Sequence, residues 1–318
     1  MRFLKVTRNT SLLTLICFLI VAMGIIKGTA FLNYSNLEAI LIGMSYDLLL
    51  ALGMTIVLIQ GGIDLSVGSV MAFTGIVTTL LLQGGVAVPL AIASGMATAV
   101  AIGALNGILV AKVNVAPFVA TLGSMSIFRG MSYVMTSGYF VNKLPESYVA
   151  FGRGRTLGLP NNVLIAVFIC IAFGVLVDRM KLFKQMFYIG NSSDAAFLSG
   201  LPTTVVTVIG YVICSTTAGL AAIMMTSRLA MGHAGFGIGA EMRAIAAAVV
   251  GGASLAGGKG NILGTFLGVT LVALINNAFI MLNGSQNWQS AISGIILIVA
   301  LALNIVQERI AQTRSVTV

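Results

Sequence analysis

An all-α, polytopic membrane protein with about ten transmembrane helices is the fold class this sequence predicts. Three observations carry the prediction. Of 318 residues, 58% are hydrophobic and 8% charged, against about 25% charged in ordinary soluble domains. Such a chain has too few polar groups to cover the surface of a soluble protein of its length. Apolar runs of roughly 17–25 residues recur from end to end, the length that crosses a hydrocarbon layer ~30 Å thick. The alternating pattern of a membrane β-barrel is missing, and a bilayer offers no water to an unpaired backbone, so the runs read as helices.

The first run follows Arg2, Lys5 and Arg8 and spans about 11–30. A basic start ahead of an apolar stretch also suits a secretory signal, but no small-residue cleavage site stands out, so it reads as a retained first helix. Further spans fall near 37–59, 66–83, 86–111, 115–136, 161–178, 203–226, 243–257, 261–283 and 290–306. The eighth is short enough to be broken or re-entrant. Ten spans return both termini to one side. Arg2, Lys5, Arg8, Lys112, Arg179, Lys181, Lys184, Arg309 and Arg314 then all lie inside, as the positive-inside rule requires. Lys143, Arg153, Arg155 and Arg228 fall outside instead, with Arg243 near the outer edge of span eight. The whole chain, 1–318, reads as a single transmembrane domain.

The longest inside segment, 178–202, begins basic and amphipathic. Asn191, Ser192, Ser193 and Asp194 offer caps for a short helix over 195–198, which Gly200 and Pro202 stop. It reads either as an ordinary interhelical loop or as a surface helix that a cytoplasmic partner grips.

The formal charge of +9 is distributed between apolar runs, not gathered on one face. That placement suits orientation in a membrane and argues against a nucleic-acid partner. Cys17, Cys170 and Cys214 lie far apart in apolar stretches, without metal-ligand spacing. The lone His233 sits in a glycine-rich outer segment and reads as a loop residue.

Between spans two and three, Gln60-Gly61-Gly62-Ile63-Asp64-Leu65-Ser66-Val67-Gly68 lets the backbone leave helical geometry. Asp64 has two readings, a cap that positions the next helix or a carboxylate in contact with solute, because charge at membrane depth is costly. A similar glycine-rich string, 251–260, joins spans eight and nine. Glycine-broken helices in corresponding places are common in transporters. Asp47, Asn106, Asn276 and Asn277 complete the polar set inside spans. They suit either helix–helix hydrogen bonding or a solute pathway. Asp47 and Asp64 read as isolated charges, which argues against ion-coupled transport.

Gly252–Gly260 fails as a phosphate-binding loop, with Ala253 and Gly260 at required glycine and hydroxyl positions. No hydrophilic stretch is long enough for an ATPase. Any ATP is hydrolysed by another chain.

Ala51-Leu52-Gly53-Met54-Thr55 followed by Gly61-Gly62-Ile63-Asp64-Leu65-Ser66-Val67-Gly68-Ser69 resembles the signature of ribose-type ABC sugar permeases. Ala120-Thr121-Leu122-Gly123 with Arg129-Gly130 is similar to that family's fifth-span pattern. Tyr188-Ile189-Gly190-Asn191, Ala195-Ala196 and Leu198-Ser199-Gly200 resemble its cytoplasmic coupling segment. The stretch from Ala244-Ile245-Ala246-Ala247 through Gly251-Gly252 to Gly268 resembles its late motif. Two departures are visible. A second glycine often precedes the Asn, where this chain has only Gly190. Glu-Leu-Asp often precedes Ala-Ile-Ala-Ala, where Glu241-Met242-Arg243 reverses the second charge.

The resemblance implies a multi-pass subunit of a bacterial inner membrane that imports a monosaccharide or related carbohydrate by alternating access. It implies separate ATPase subunits that use ATP and Mg, an extracytoplasmic substrate-binding protein, surrounding lipid and a second permease copy, identical or paralogous. Tyr188, Gly190, Asn191, Ala195, Ala196, Ser199 and Gly200 are the implied ATPase-coupling residues. The chain itself has no cofactor and no catalytic residue on this reading. Permeases for branched-chain amino acids share the late glycine motif and remain an alternative, as does a secondary transporter. The string Gly61–Ser66 favours the sugar branch.

Overall fold

The computed structural model describes residues 8–285, 288, 291–296, 298–299 and 302. Its helices are α1 (Arg8–Lys27), α2 (Thr29–Leu32), α3 (Tyr34–Ile59), α4 (Val67–Gln83), α5 (Val88–Ala111), α6 (Pro117–Thr136), α7 (Glu146–Arg153), α8 (Asn161–Arg179), α9 (Lys181–Asn191), α10 (Ser193–Leu198), α11 (Thr203–Leu229), α12 (Ala240–Gly251) and α13 (Ile262–Met281). Residues 291–296 are also helical. Most of the last anticipated span, 290–306, lies outside the described residues.

Among the described residues, six helices are long and apolar enough to cross a membrane: α1, α3, α5, α8, α11 and α13. The chain is thus an all-α polytopic membrane protein. α4 is a shorter apolar helix. The anticipated span 243–257 is not a span-length helix. α12 has 12 residues, about 18 Å at 1.5 Å per residue, which falls short of ~30 Å of hydrocarbon. Segment 137–160, between α6 and α8, holds α7 and a two-residue antiparallel hairpin, β1 (Arg155–Thr156) and β2 (Leu159–Pro160).

α3 is the central element. Every residue from Leu48 to Ile59 is buried, so apolar side chains on all faces meet protein instead of lipid. α11 packs across it and against α5 and α4. Close approach is possible because Gly103 and Gly107 of α5 lie directly on the α11 backbone at Tyr211 and Val208, the small-xxx-small spacing of membrane helix pairs. Thr55 and Thr265 hydroxyls, 2.8 Å apart, tie α3 to α13. Outward faces carry exposed apolar side chains such as Phe18, Ile25, Val134 and Phe168, as lipid contact requires.

Contacts sort the helix ends into two levels. At one end, Arg8 donates to the carbonyls of Val249 and Val250, and Gly258 N donates to Ile59 O at 2.8 Å. At the other, Arg155 binds Glu38, and Arg153 donates to Arg228 O at 2.9 Å.

Two connections turn back into the bundle. Cys214 of α11 lies beside Gly53 in α3 and also beside Asp64. Between residues 53 and 64 the chain therefore runs to the end of the bundle that holds Arg8 and turns back. On the opposite side, Gly232 sits against Thr79 late in α4, while Gly237 sits against Gly68 in its first turn. Segment 232–237 thus descends about three turns alongside α4. The first turns of α4 and α12 meet in the interior, running in opposite directions.

Candidate functional site

The interior junction is built around Asp64, which is 0% exposed. Its Oδ1 accepts from Ser66 N at 2.8 Å and Ser66 Oγ at 2.5 Å, an Asx turn that leads into α4. Ser66 Oγ in turn accepts from Asn106 Nδ2 at 2.9 Å. Asp64 and Asn106 are therefore linked through one hydroxyl, the Cys214 thiol lies beside Asp64, and among the described residues Asn106 Oδ1 has no hydrogen-bond partner. Glu241 stands in the first turn of α12, so each of the two meeting helix starts has a carboxylate at its positive end. From α6, Arg129 Nη1 donates at 2.6 Å to both Ala234 O and Phe236 O and pins the re-entrant segment. His233 stacks on Phe140 with ring centroids 4.3 Å apart and accepts from Gly235 N.

Asp47 is not isolated, contrary to the reading from sequence. Arg243 Nε and Nη2 approach its carboxylate at 3.1–3.2 Å, joining α3 to α12. An intramembrane charge without a partner is costly, and this pair removes the cost at both residues. Asn277 and Asn36 exchange amide hydrogen bonds at 2.7 and 3.3 Å. Asn276, its neighbour, has a buried oxygen without a partner among the described residues. The candidate pathway residues thus divide into three places: Asp64 with Asn106, Asp47 with Arg243, and Asn276 with Asn277.

Arg153, Arg155 and Arg228, three of the basic residues that broke the charge rule, are held by protein groups. Arg155 makes a two-pronged bond to Glu38 at 2.7 and 2.8 Å and donates to the Tyr34 hydroxyl at 2.8 Å. Arg228 lies 3.9 Å from the same carboxylate. The bond to Glu38 first, and that to Tyr34 second, hold the Arg155 guanidinium above the ordinary arginine pKa.

At the end of the bundle that holds Arg8, α9 buries Phe183, Met186 and Ile189 and exposes Lys181 and Lys184, the spacing of an amphipathic helix lying on a surface. Ser192 Oγ accepts from Ala195 N at 3.2 Å and caps α10. The helix ends at Ser199, and Gly200 turns the chain with φ near 79°. Tyr188, Asn191, Ala195, Ala196 and Ser199 line one groove of ≈ 460 Å³ with Ser192 and Leu201. Tyr188, Phe197 and Leu198 are exposed beside it.

Gly190 does not line the groove but fixes its position. A Cβ there would overlap Ile59 O, and Gly257 and Gly258 lie against the same residue. The two glycine-rich strings noted in the sequence therefore meet across Gly190. That junction, the pair Asp47–Arg243 and the carbonyl contacts of Arg8 and Arg129 were not foreseen. The signal available for the charged residues was their type: Arg or Asp within apolar runs requires a partner.

The family described as "Branched-chain amino acid transport system / permease component" matches residues 36–301. The ribose import permease protein RbsC of Bacillus subtilis is 35% identical over 289 residues, 90% of this chain and 90% of the relative. RbsC of Escherichia coli K12 is 36% identical over 278 residues, 86% and 87%. The D-allose transport system permease protein AlsC of the same organism is 31% identical over 291 residues, 91% and 89%. No solved structure matches the chain.

Proposed function

The chain belongs to the permease-component family of the branched-chain amino acid transport system, and from that premise we propose that it is the membrane-spanning subunit of an ATP-driven importer for a monosaccharide or related carbohydrate. The observation that carries the cargo is identity along nearly the whole chain to relatives named for ribose and allose. Although the family takes its description from amino-acid transport, these relatives are named for sugars. The subunit is a multi-pass protein of the inner membrane and not an enzyme.

ATP and Mg are handled by separate ATPase subunits, and an extracytoplasmic binding protein delivers solute. Two permease copies form the pathway. Ten crossings are proposed, with α4 and α12 completing theirs through the re-entrant connections and the last lying near 290–306. Segment 178–202 presents Tyr188, Asn191, Ala195, Ala196 and Ser199 to the ATPase, while Gly190 and Gly200 set its seat and its exit. Closure of the ATPases moves α9 and α10. Because Gly190 is wedged against Ile59 O, Gly257 and Gly258, that movement reaches the re-entrant loop after α3 and the glycine-rich string 251–260. Asp64, Asn106, Asp47, Asn276 and Asn277 are the proposed pathway set.

The test is uptake of labelled D-ribose, D-allose, L-arabinose and L-leucine by vesicles holding the permease with its ATPase and binding protein. One of the sugars is expected to enter and leucine to be excluded. Leucine uptake without sugar uptake would contradict the carbohydrate assignment.

A further inference from the structure

A cavity of ≈ 180 Å³ opens at the inner end, enclosed by the re-entrant loop, the ends of α5 and α6, the coupling segment and the start of α11. Its polar lining comes from Gln60, Asn114, Ser193, Tyr211 and three threonines, Thr203, Thr204 and Thr207, and among the described residues no charged side chain lines it. Gln60 is buried, with 7% exposure. Its Nε2 donates to Thr207 O at 3.2 Å, and Oε1 is a buried acceptor with no partner among the described residues.

The chemistry of this lining selects a ligand class. A buried ionic group needs an opposite charge, and none is present, so amino acids, phosphates and nucleotides are poorly accommodated. Hydroxyls and amides that both donate and accept suit a neutral polyol. The volume is below the ~300–1,000 Å³ of pockets for drug-sized ligands, which restricts the occupant to a monosaccharide or smaller.

The walls give occupancy a consequence. Gln60, Gly61 and Gly62 belong to the re-entrant loop, while Ile189 and Ser193 belong to α9 and α10. These two walls are joined at Gly190. A solute between them opposes any closing movement of one against the other.

We propose that this cavity binds released monosaccharide from the cytoplasmic side and that its occupancy slows the transport cycle. The choice of ligand rests on the carbohydrate assignment above. The experiment uses the complete importer in vesicles, preloaded with unlabelled D-ribose, D-allose or L-arabinose, or with potassium chloride of equal osmolarity. Initial uptake of the same labelled sugar is read against each protein's own rate in salt-loaded vesicles.

Preloaded sugar is expected to slow the wild type. Thr207→Val and Thr204→Val each preserve shape but remove a hydroxyl, and should raise the half-inhibiting concentration about tenfold, the equivalent of one hydrogen bond. Uptake by the wild type that ignores preloaded sugar, or inhibition identical in wild type and both variants, would overturn the site. Failure of every sugar to enter salt-loaded vesicles would instead overturn the carbohydrate assignment and this choice of ligand with it.

Discussion

Arg243 and Asp47 carry opposite charges into the apolar interior and meet across α3 and α12. Arg243→Gln leaves the carboxylate unpaired, and removing one partner of such a pair costs about 3–5 kcal/mol when fully buried. Both side chains retain about a fifth of their exposure, so a smaller loss is expected. Adding Asp47→Asn to Arg243→Gln should recover part of it, with a coupling of ~1–3 kcal/mol in thermal unfolding of the detergent-solubilised protein. Strictly additive losses would contradict the pairing. Asp64 poses a different question. Asn can accept from Ser66 as Asp does, so Asp64→Asn should keep membrane abundance and uptake near normal. Asp64→Ala loses both hydrogen bonds, ~1 kcal/mol each, and should lower abundance. An abundant Asp64→Asn protein without uptake would assign the charge itself to transport. The capping chemistry of Asp64 was readable because it is local, donor and acceptor two residues apart. The Arg243 pair was not, because its partner lies 196 residues away.

The elements fall on either side of the same division. The short inner helix was predicted for 195–198 and forms as Ser193–Leu198, capped by Ser192 and released at Gly200. Caps and stops act within a few residues, so sequence spacing exposes them. The re-entrant connections follow instead from tertiary packing. Gly68 against Gly237, and Gly190 against Ile59 and Gly258, are contacts between distant segments that no periodicity reveals. The shortness of span eight and the glycine-rich strings 60–68 and 251–260 pointed to breaks, but not to these contacts. Gly190→Ala tests the inner junction. The added methyl meets backbone that cannot swing aside, and overpacking of this kind costs about 1–3 kcal/mol. Reduced thermal stability, with ATPase stimulation by the permease falling together with uptake, is expected. Unchanged values of all three would remove Gly190 from the mechanism.

Across the whole molecule, the alternation of helix ends is the feature that supports two-sided transport. Two of the basic residues that contradicted the charge rule, Arg155 and Arg228, share the Glu38 carboxylate. Cysteines at Lys184 and Leu157, both exposed, should accordingly label from opposite faces in a cysteine-free background. Labelling of both from one face would contradict the arrangement. The central claim, that a partner's ATP hydrolysis moves solute through this subunit, is tested most directly by uptake into vesicles holding the complete importer. Uptake should require hydrolysable ATP and continue when ion gradients are dissipated. Uptake that persists with a non-hydrolysable analogue and stops when the gradients collapse would contradict it.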